Sequence, residues 1–409
     1  MRIAIADDTA LIYSDDWRHG WLAGFRGIGC QVASFDISSL RSFGSNGGPY
    51  STRGATRGRI LAKQILDWRP DLVWCYHGRA AAAGGFTETL RRGGVRTAVF
   101  LPDEPFETGE SARFSPLFDF VFTFDPCTVQ AHLLSRPLQR QADVFYLPAC
   151  ADTNRFNPTV ARGTYAARET PALFLGNPTL VPRAPWLRAV EAAVPGTRVL
   201  SWPTQGRSMA KGMVGWIPDT EHPALYASCK VGLNIHRDPR ITRECYKRRV
   251  LSRYPGYTVP AGLKLWDSMP AEDGTGFWND GNLPAAHVNP RFFEMAACGT
   301  LVVNDNHRTE LARMFPMAPR ADTAEQFVAL VQHYLAHLDE AEEIGRLCSD
   351  LISKRHTYRH RAAEVLIRTG LRASAPADQL SSLGEPADWM TPQSLPLPAA
   401  TSSSAPTGR

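Results

Sequence analysis

The chain has 409 residues, is 44% hydrophobic and 21% charged, and carries a formal net charge of +5. That length exceeds one typical core and suits two domains; the composition is that of a folded globular protein, and so mild a charge implies no nucleic-acid partner by itself. Asp7 and Asp8 follow directly on the opening apolar run and no later run approaches a membrane span, so neither a signal peptide nor a transmembrane helix is expected.

Strands are predicted over residues 2–6, 31–36, 71–76, 96–101, 119–124 and 143–147, with helical patterns over 59–68 and 126–134 between them. This alternation argues for a doubly wound parallel sheet across residues 1–150. Residues 41–58, rich in Gly and Ser, read as a mobile surface loop. A linker at 151–170 leads to a second alternating unit over 171–356, with strands at 172–175, 198–202, 230–236 and 300–304 and helices at 182–193, 223–228 and 324–335. Two Rossmann-like α/β domains of this kind face a central cleft, and open sheets bind ligands at the carboxyl ends of their strands.

An insertion at 237–287 interrupts the second unit, and its first part carries Arg237, Arg240, Arg243, Lys247, Arg248, Arg249 and Arg253. Such a run is either a solvated face or a surface for an anionic acceptor or partner. A C-terminal helix is expected at 357–372, and the Pro-, Ser- and Ala-rich tail at 373–409 reads as disordered. Eight scattered cysteines without a Cys-x-x-Cys pair fit reduced, mostly buried thiols in a cytoplasm.

The densest signal is Asn289-Pro-Arg-Phe-Phe-Glu-Met-Ala-Ala-Cys-Gly-Thr-Leu-Val-Val-Asn304. Asn289 suits a helix cap, Pro290 the first helical position and Gly299 the left-handed residue beyond the end, and a buried strand follows. Glu294 is the one acid of this helix, among Phe292, Phe293, Met295 and Ala296, so its carboxylate needs a partner. Arg291, three residues earlier, would supply one locally.

The run resembles the Glu-Ala-x-Ala-x-Gly segment of nucleotide-sugar glycosyltransferases of the two-Rossmann-domain (GT-B) type. Its Asn-x-Arg-x-Phe-Glu form is closer to the CgeB-like (spore maturation protein) branch, with a group 1-like C-terminal domain. Further matches fall in the order that branch shows: Asp71-Leu-Val-Trp, Pro102-Asp-Glu-Pro105, Phe118-Asp-Phe-Val-Phe-Thr-Phe-Asp125, Leu147-Pro-Ala, Phe156-Asn-Pro158, Phe174-Leu-Gly-Asn177, Leu225-Tyr-Ala-Ser-Cys-Lys-Val-Gly-Leu-Asn234 and His356-Thr-Tyr-Arg-His-Arg361. The resemblance covers about residues 1–370. It implies that Glu294 accepts hydrogen bonds from the donor ribose, with Asn289 and Arg291 beside the site.

Transfer from a nucleotide sugar places charge on a departing diphosphate, which fixed cations and helix amino-termini can stabilise. Arg183, where the branch also shows an Arg, is the candidate diphosphate ligand; Lys211 or Arg207 could assist, and Trp216 to Pro218 could border the base. On the acceptor side, His77, Asp103 and Glu104 follow predicted strands and are candidates for sugar contact or proton transfer. Each also has a plainer reading, as a cap, a turn residue or a solvated cation. Asp7, Asp8 and Asp16 cluster near the first strand end with Trp17 and His19, either to meet acceptor or to cap a helix.

No Asp-x-Asp element or ligand cluster points to a metal, no cofactor beyond the nucleotide sugar is implied, and nucleic acid is not an expected partner. The spacing that puts a first Glu before the ribose-binding one in many retaining relatives falls here on Ala286. The expected function is therefore transfer of a sugar from a nucleoside-diphosphate donor to a small-molecule or glycan acceptor, retaining and metal-independent. The alternatives are a nucleotide-sugar epimerase of the same architecture and a non-catalytic binding or assembly member.

Overall fold

A computed structural model describes residues 1–9, 14–40, 52–82, 84–136, 143–161, 163–176, 178, 183–200, 219–238, 283–372 and 377–385 of the chain. Among the described residues, β1 (Arg2–Asp7), β2 (Gln31–Asp36), β3 (Leu72–Tyr76), β4 (Arg96–Leu101), β5 (Phe120–Thr123) and β6 (Val144–Tyr146) form a parallel sheet in the order β2-β1-β3-β4-β5-β6. A second parallel sheet, β11-β10-β9-β7-β8, is built from β7 (Thr170–Leu175), β8 (Arg198–Leu200), β9 (Cys229–Asn234), β10 (Leu301–Asp305) and β11 (Arg320–Ala321). β3 and β10 are buried at every position. β3 and the first three positions of β10 read as unbroken apolar runs because a parallel sheet is covered by helices on both faces, while β10 ends on the buried polar Asn304 and Asp305.

Helices α1 (Ser14–Gly27), α2 (Thr52–Asp67), α3 (Phe86–Arg92), α4 (Thr108–Phe114) and α5 (Val129–Ser135) accompany the first sheet. With the second go α6 (Arg183–Ala193), α7 (His222–Ala227), α8 (Pro290–Ala297), α9 (Thr309–Met314), α10 (Ala324–Ala336) and α11 (Leu338–Arg355). The two-sheet α/β architecture expected from the sequence is the one observed.

Three departures have physical causes. α2 begins at Thr52, inside the stretch read as a loop over 41–58. Gly58 lets it approach the next turn, since a Cβ there would lie 2.8 Å from the Gly84 carbonyl. The 18-residue α11 gave no clear sequence signal because its buried stripe is made of small residues, Ala341, Gly345, Cys348 and Ser349, with Ile352. A Cβ on Gly345 would meet the Gly299 carbonyl at 2.6 Å, so the smallness serves close packing. In the tail read as disordered, α13 (Ala377–Ser381) forms with Leu380 buried; residues 386–409 lie outside the described ones.

The chain closes on itself through α12 (Tyr358–Arg368), which leaves the second sheet and packs on α1 of the first. Tyr358 sits against Trp21, ring centroids 5.3 Å apart, over a face of α1 opened by Gly20 and Gly24. Beside it Arg361 is fully buried; its Nε donates to the Pro148 carbonyl at 2.9 Å and a terminal nitrogen to the Ala149 carbonyl at 3.2 Å. Arg361→Ala would leave those carbonyls without their charged donor and Glu364 with Arg368 in place of two flanking cations. A loss of roughly 1.5–3 kcal/mol in stability is expected, read as a lower midpoint in urea denaturation. An unchanged midpoint would show that water replaces the guanidinium at no cost.

Candidate functional site

Asp125, just past β5, is fully buried. One oxygen accepts the Cys127 amide at 2.8 Å, turning the chain into the next helical segment. The other accepts the Ala286 amide at 2.8 Å, the His287 amide at 3.1 Å and His287 Nδ1 at 2.7 Å. Burial works to raise the Asp125 pKa, but these donors, His287 foremost, hold it below the ordinary carboxylate value. Burial depresses His287, so the imidazole is neutral and donates from Nδ1. This clamp fixes the segment that enters α8 from the opposite half of the molecule.

The entry into α8 continues the network. Asn289 caps the helix by accepting the Phe292 amide at 3.3 Å, and its Nδ2 donates to Asn234 at 2.6 Å. Asn234 in turn donates to Asn304 at 2.8 Å, so three asparagines run across the carboxyl ends of β9 and β10. Neither Asn234 nor Asn304 was singled out in the sequence, although an Asn ending an apolar run is itself a signal of a polar strand terminus. Further along α8, Glu294 is 7% exposed and paired with Arg291, with the Tyr226 hydroxyl donating at 3.2 Å. The local pairing open to Glu294 from its sequence is thus the one formed.

Three consecutive residues past β9 bind three different partners, and the third crosses to the first wall. Ile235 presents its carbonyl to Arg183 Nε at 2.6 Å, holding the first residue of α6 with its guanidinium 5.5 Å from the Phe174 ring centroid. His236 donates its amide to Asp305 at 2.6 Å and places Nδ1 2.7 Å from the same carboxylate. Arg237 reaches the first wall, its guanidinium 3.3 Å from the Phe106 ring centroid and 3.8 Å from Asp103. A cation at a helix amino-terminus, as at Arg183, is unfavourable unless an anion binds there.

On the first wall His77 Nδ1 lies 3.4 Å from Asp103. His77 has φ 63° and Gly78 φ 72°, so the chain turns sharply at the end of β3. A non-glycine residue held left-handed costs energy and such outliers gather at functional sites. Gly78 is needed there, because a Cβ would press within 2.7 Å of the Phe114 ring and Val99. Glu107 pairs with Arg79 at 3.6 Å, and ligand-type atoms of His77, Asp103 and Glu107 all lie within 4.8 Å of one another. Among the described residues this is the group with the composition to hold a divalent cation, although Arg79 and Arg237 already stand beside its carboxylates.

The structure therefore brings His77 and Asp103 together, but not Glu104. That carboxylate is 1% exposed, accepts from the Thr108 and Ser111 hydroxyls and lies 3.5 Å from His132, inside the first half. Polar burial with satisfied partners makes it a structural acid in this arrangement. Asp7 likewise turns into the interior, accepting from Tyr76, and Trp17 packs on Phe100 with centroids 5.4 Å apart. Lys211 and Trp216 lie outside the described residues, as do Arg207 and the cations from Arg240 to Arg253.

Comparison with known proteins fits this geometry. Residues 281–367, which contain α8 and the return to α12, match the family described as Glycosyl transferase-like. Sucrose-phosphate synthase from Thermosynechococcus elongatus superposes with a TM-score of 0.55 at 11% identity, over 91% of this chain and 100% of that one. HepE of Anabaena, solved in complex with UDP, gives 0.52 at 10% identity, over 90% of this chain and 100% of that one. No curated protein sequence matches the chain. The fold is GT-B, with a glycosyl transferase-like segment in its second half.

The buried imidazoles make stability depend on pH. Burial holds His236 down to about 4 and lowers His287 below its ordinary 6.5. The unfolded chain takes up those protons first, so the stability they confer is present above pH 6.5 and is lost as pH falls below it, toward 4 in the case of His236. Each contributes a slope of up to about 1.4 kcal/mol per pH unit in that window. His287→Asn, which keeps a donor for Asp125, is expected to flatten the fall of the urea midpoint between pH 7 and 4.5. Parallel curves for the two proteins would show that His287 does not titrate on unfolding.

Proposed function

We propose that this protein is a glycosyltransferase of the CgeB-like branch. It moves a sugar from a nucleoside-diphosphate donor to an acceptor hydroxyl or amine, with retention and without a required metal. The observation that carries this reading is the stretch from Ile235 to Arg237. It holds Arg183 on the donor side and meets Asp103, beside His77, on the acceptor side.

In this reading the donor lies along the carboxyl edge of the second sheet. Arg183, at the start of α6, neutralises the diphosphate as charge develops on it, and a preorganised cation is worth most where water is excluded. Glu294 accepts the ribose hydroxyls, its rotamer set by Arg291 and Tyr226. His77, oriented by Asp103, contacts the transferring sugar or moves the acceptor proton. Retention rests on analogy with relatives that carry the Glu294 motif. A cytoplasmic site of action agrees with the described cysteines, which are buried free thiols, and with the lack of any described helix long and apolar enough to cross a membrane.

Calorimetry with UDP, GDP and the corresponding nucleosides tests the donor site. Arg183→Ala is expected to weaken the diphosphates far more than the bare nucleosides, with binding that declines as salt is added. Glu294→Ala should cost roughly 1.5–3 kcal/mol with any ligand that carries the ribose. Equal losses for nucleoside and diphosphate in the first variant, or unchanged affinity in the folded second, would remove that residue from the site.

The metal question has its own measurement. Because Arg183 and a helix terminus carry the leaving-group charge in this mechanism, donor turnover is expected to survive excess EDTA. Loss on chelation with recovery on adding magnesium or manganese would transfer that role to a cation, with His77, Asp103 and Glu107 as the ligands to test.

A further inference from the structure

His236 stands at the carboxyl end of β9 between the residue that anchors Arg183 and the residue that crosses to Asp103. Its amide and Nδ1 are both bound to Asp305, whose own carboxylate is fully buried and held far below the ordinary range by that imidazole. The ring is 2% exposed and, by its depressed basicity, neutral at physiological pH. With the proton on Nδ1, Nε2 is a bare lone pair, and among the described residues it is buried with no hydrogen-bond partner.

A buried acceptor left unmet costs about 1–3 kcal/mol, and such orphans concentrate where a ligand completes the bonding. Apolar packing would have served better if the position were only structural. We propose that His236 Nε2 accepts a hydrogen bond from a hydroxyl of the donor's sugar, with Asp305 as the positioning residue that fixes the tautomer. This rests on the nucleotide-sugar reading above and specifies which chain atom reads the sugar rather than the nucleotide. A hydroxyl between Arg183 and the His77–Asp103 pair is where the transferred sugar lies in that reading. The dyad thus contributes to sugar selection, since a site with a buried acceptor rejects an analogue that lacks the matching hydroxyl.

The test compares the affinity of UDP or GDP with that of their hexose conjugates in the full chain and in two variants. Asn places its amide where Nδ1 stands and keeps the Asp305 bond, but it has nothing at the ε position; Gln places an oxygen there and gives up the Asp305 donor. His236→Asn is expected to lose about five- to tenfold in affinity for the sugar nucleotide while the bare diphosphate is unchanged, and His236→Gln to recover part of that loss.

A structural role predicts the reverse order, with Asn tolerated and Gln harmful to both ligands alike, and that result would overturn the proposal. In 15N spectra of the wild type, the Nε2 resonance should shift on adding the sugar nucleotide and stay in place with the diphosphate alone. If the wild type binds the diphosphates but the sugar adds nothing to affinity and Nε2 does not move, His236 is not a sugar ligand. If it binds neither, the nucleotide-sugar reading itself falls.

Discussion

The Asp125 carboxylate is the interaction on which the rest of the site depends. It is an acid buried at the end of a strand in one half, and the donors that satisfy it come from its own turn and from the segment entering α8 in the other half. A buried charge accepts only a narrow geometry before its desolvation becomes uncompensated, so the clamp sets position as well as affinity. Its consequence is local and chemical. The helix that carries Arg291 and Glu294, capped by Asn289, starts three residues beyond His287, so the clamp holds the chain just where that helix begins.

Other cross-links between the halves have the same polar character. The Tyr146 hydroxyl donates to the buried Glu310 at 2.8 Å, and Arg313 grips that carboxylate from α9 at 2.6 and 2.9 Å. Arg361 caps the carbonyls of Pro148 and Ala149, and within the second half the Glu310 amide binds the Ala286 carbonyl at 3.1 Å, which ties Glu310 to the segment held by Asp125. Directional bonds of this kind specify one relative placement of two sheets, whereas an apolar interface of similar size would tolerate sliding. For a cleft enzyme that specification matters, because misplacement by about an ångström between reacting groups can cost a hundredfold in rate.

Position 286 illustrates how one departure from a motif is absorbed. Where many retaining GT-B enzymes place a first Glu, this chain has Ala286, whose amide binds Asp125 across the interface and whose carbonyl accepts from the Glu310 amide. The side chain there brings no carboxylate to the sugar, yet the backbone has a definite task. The polar groups bonded to it are Asp125 and the Glu310 amide, while His236 and Asp305 form a buried pair at the ends of β9 and β10.

Much of this was legible in the sequence. Alternating apolar runs and amphipathic stretches determine two parallel sheets, since only strands covered on both faces read as continuous Val, Leu and Phe. Asn289, Pro290 and Gly299 mark both ends of α8, because capping is a local property of the chain. Pairings made over a long separation were not legible. Asp125 with His287, His236 with Asp305 and Arg237 with Asp103 join residues far apart in the chain, and nothing in the local pattern names a partner. The adjacent Asp103 and Glu104 looked equivalent, yet one meets His77 and the other is buried among Thr108, Ser111 and His132. Which way each side chain of a turn points is set by the packing around that turn, so the sequence could name the pair of acids but only the tertiary structure could separate them.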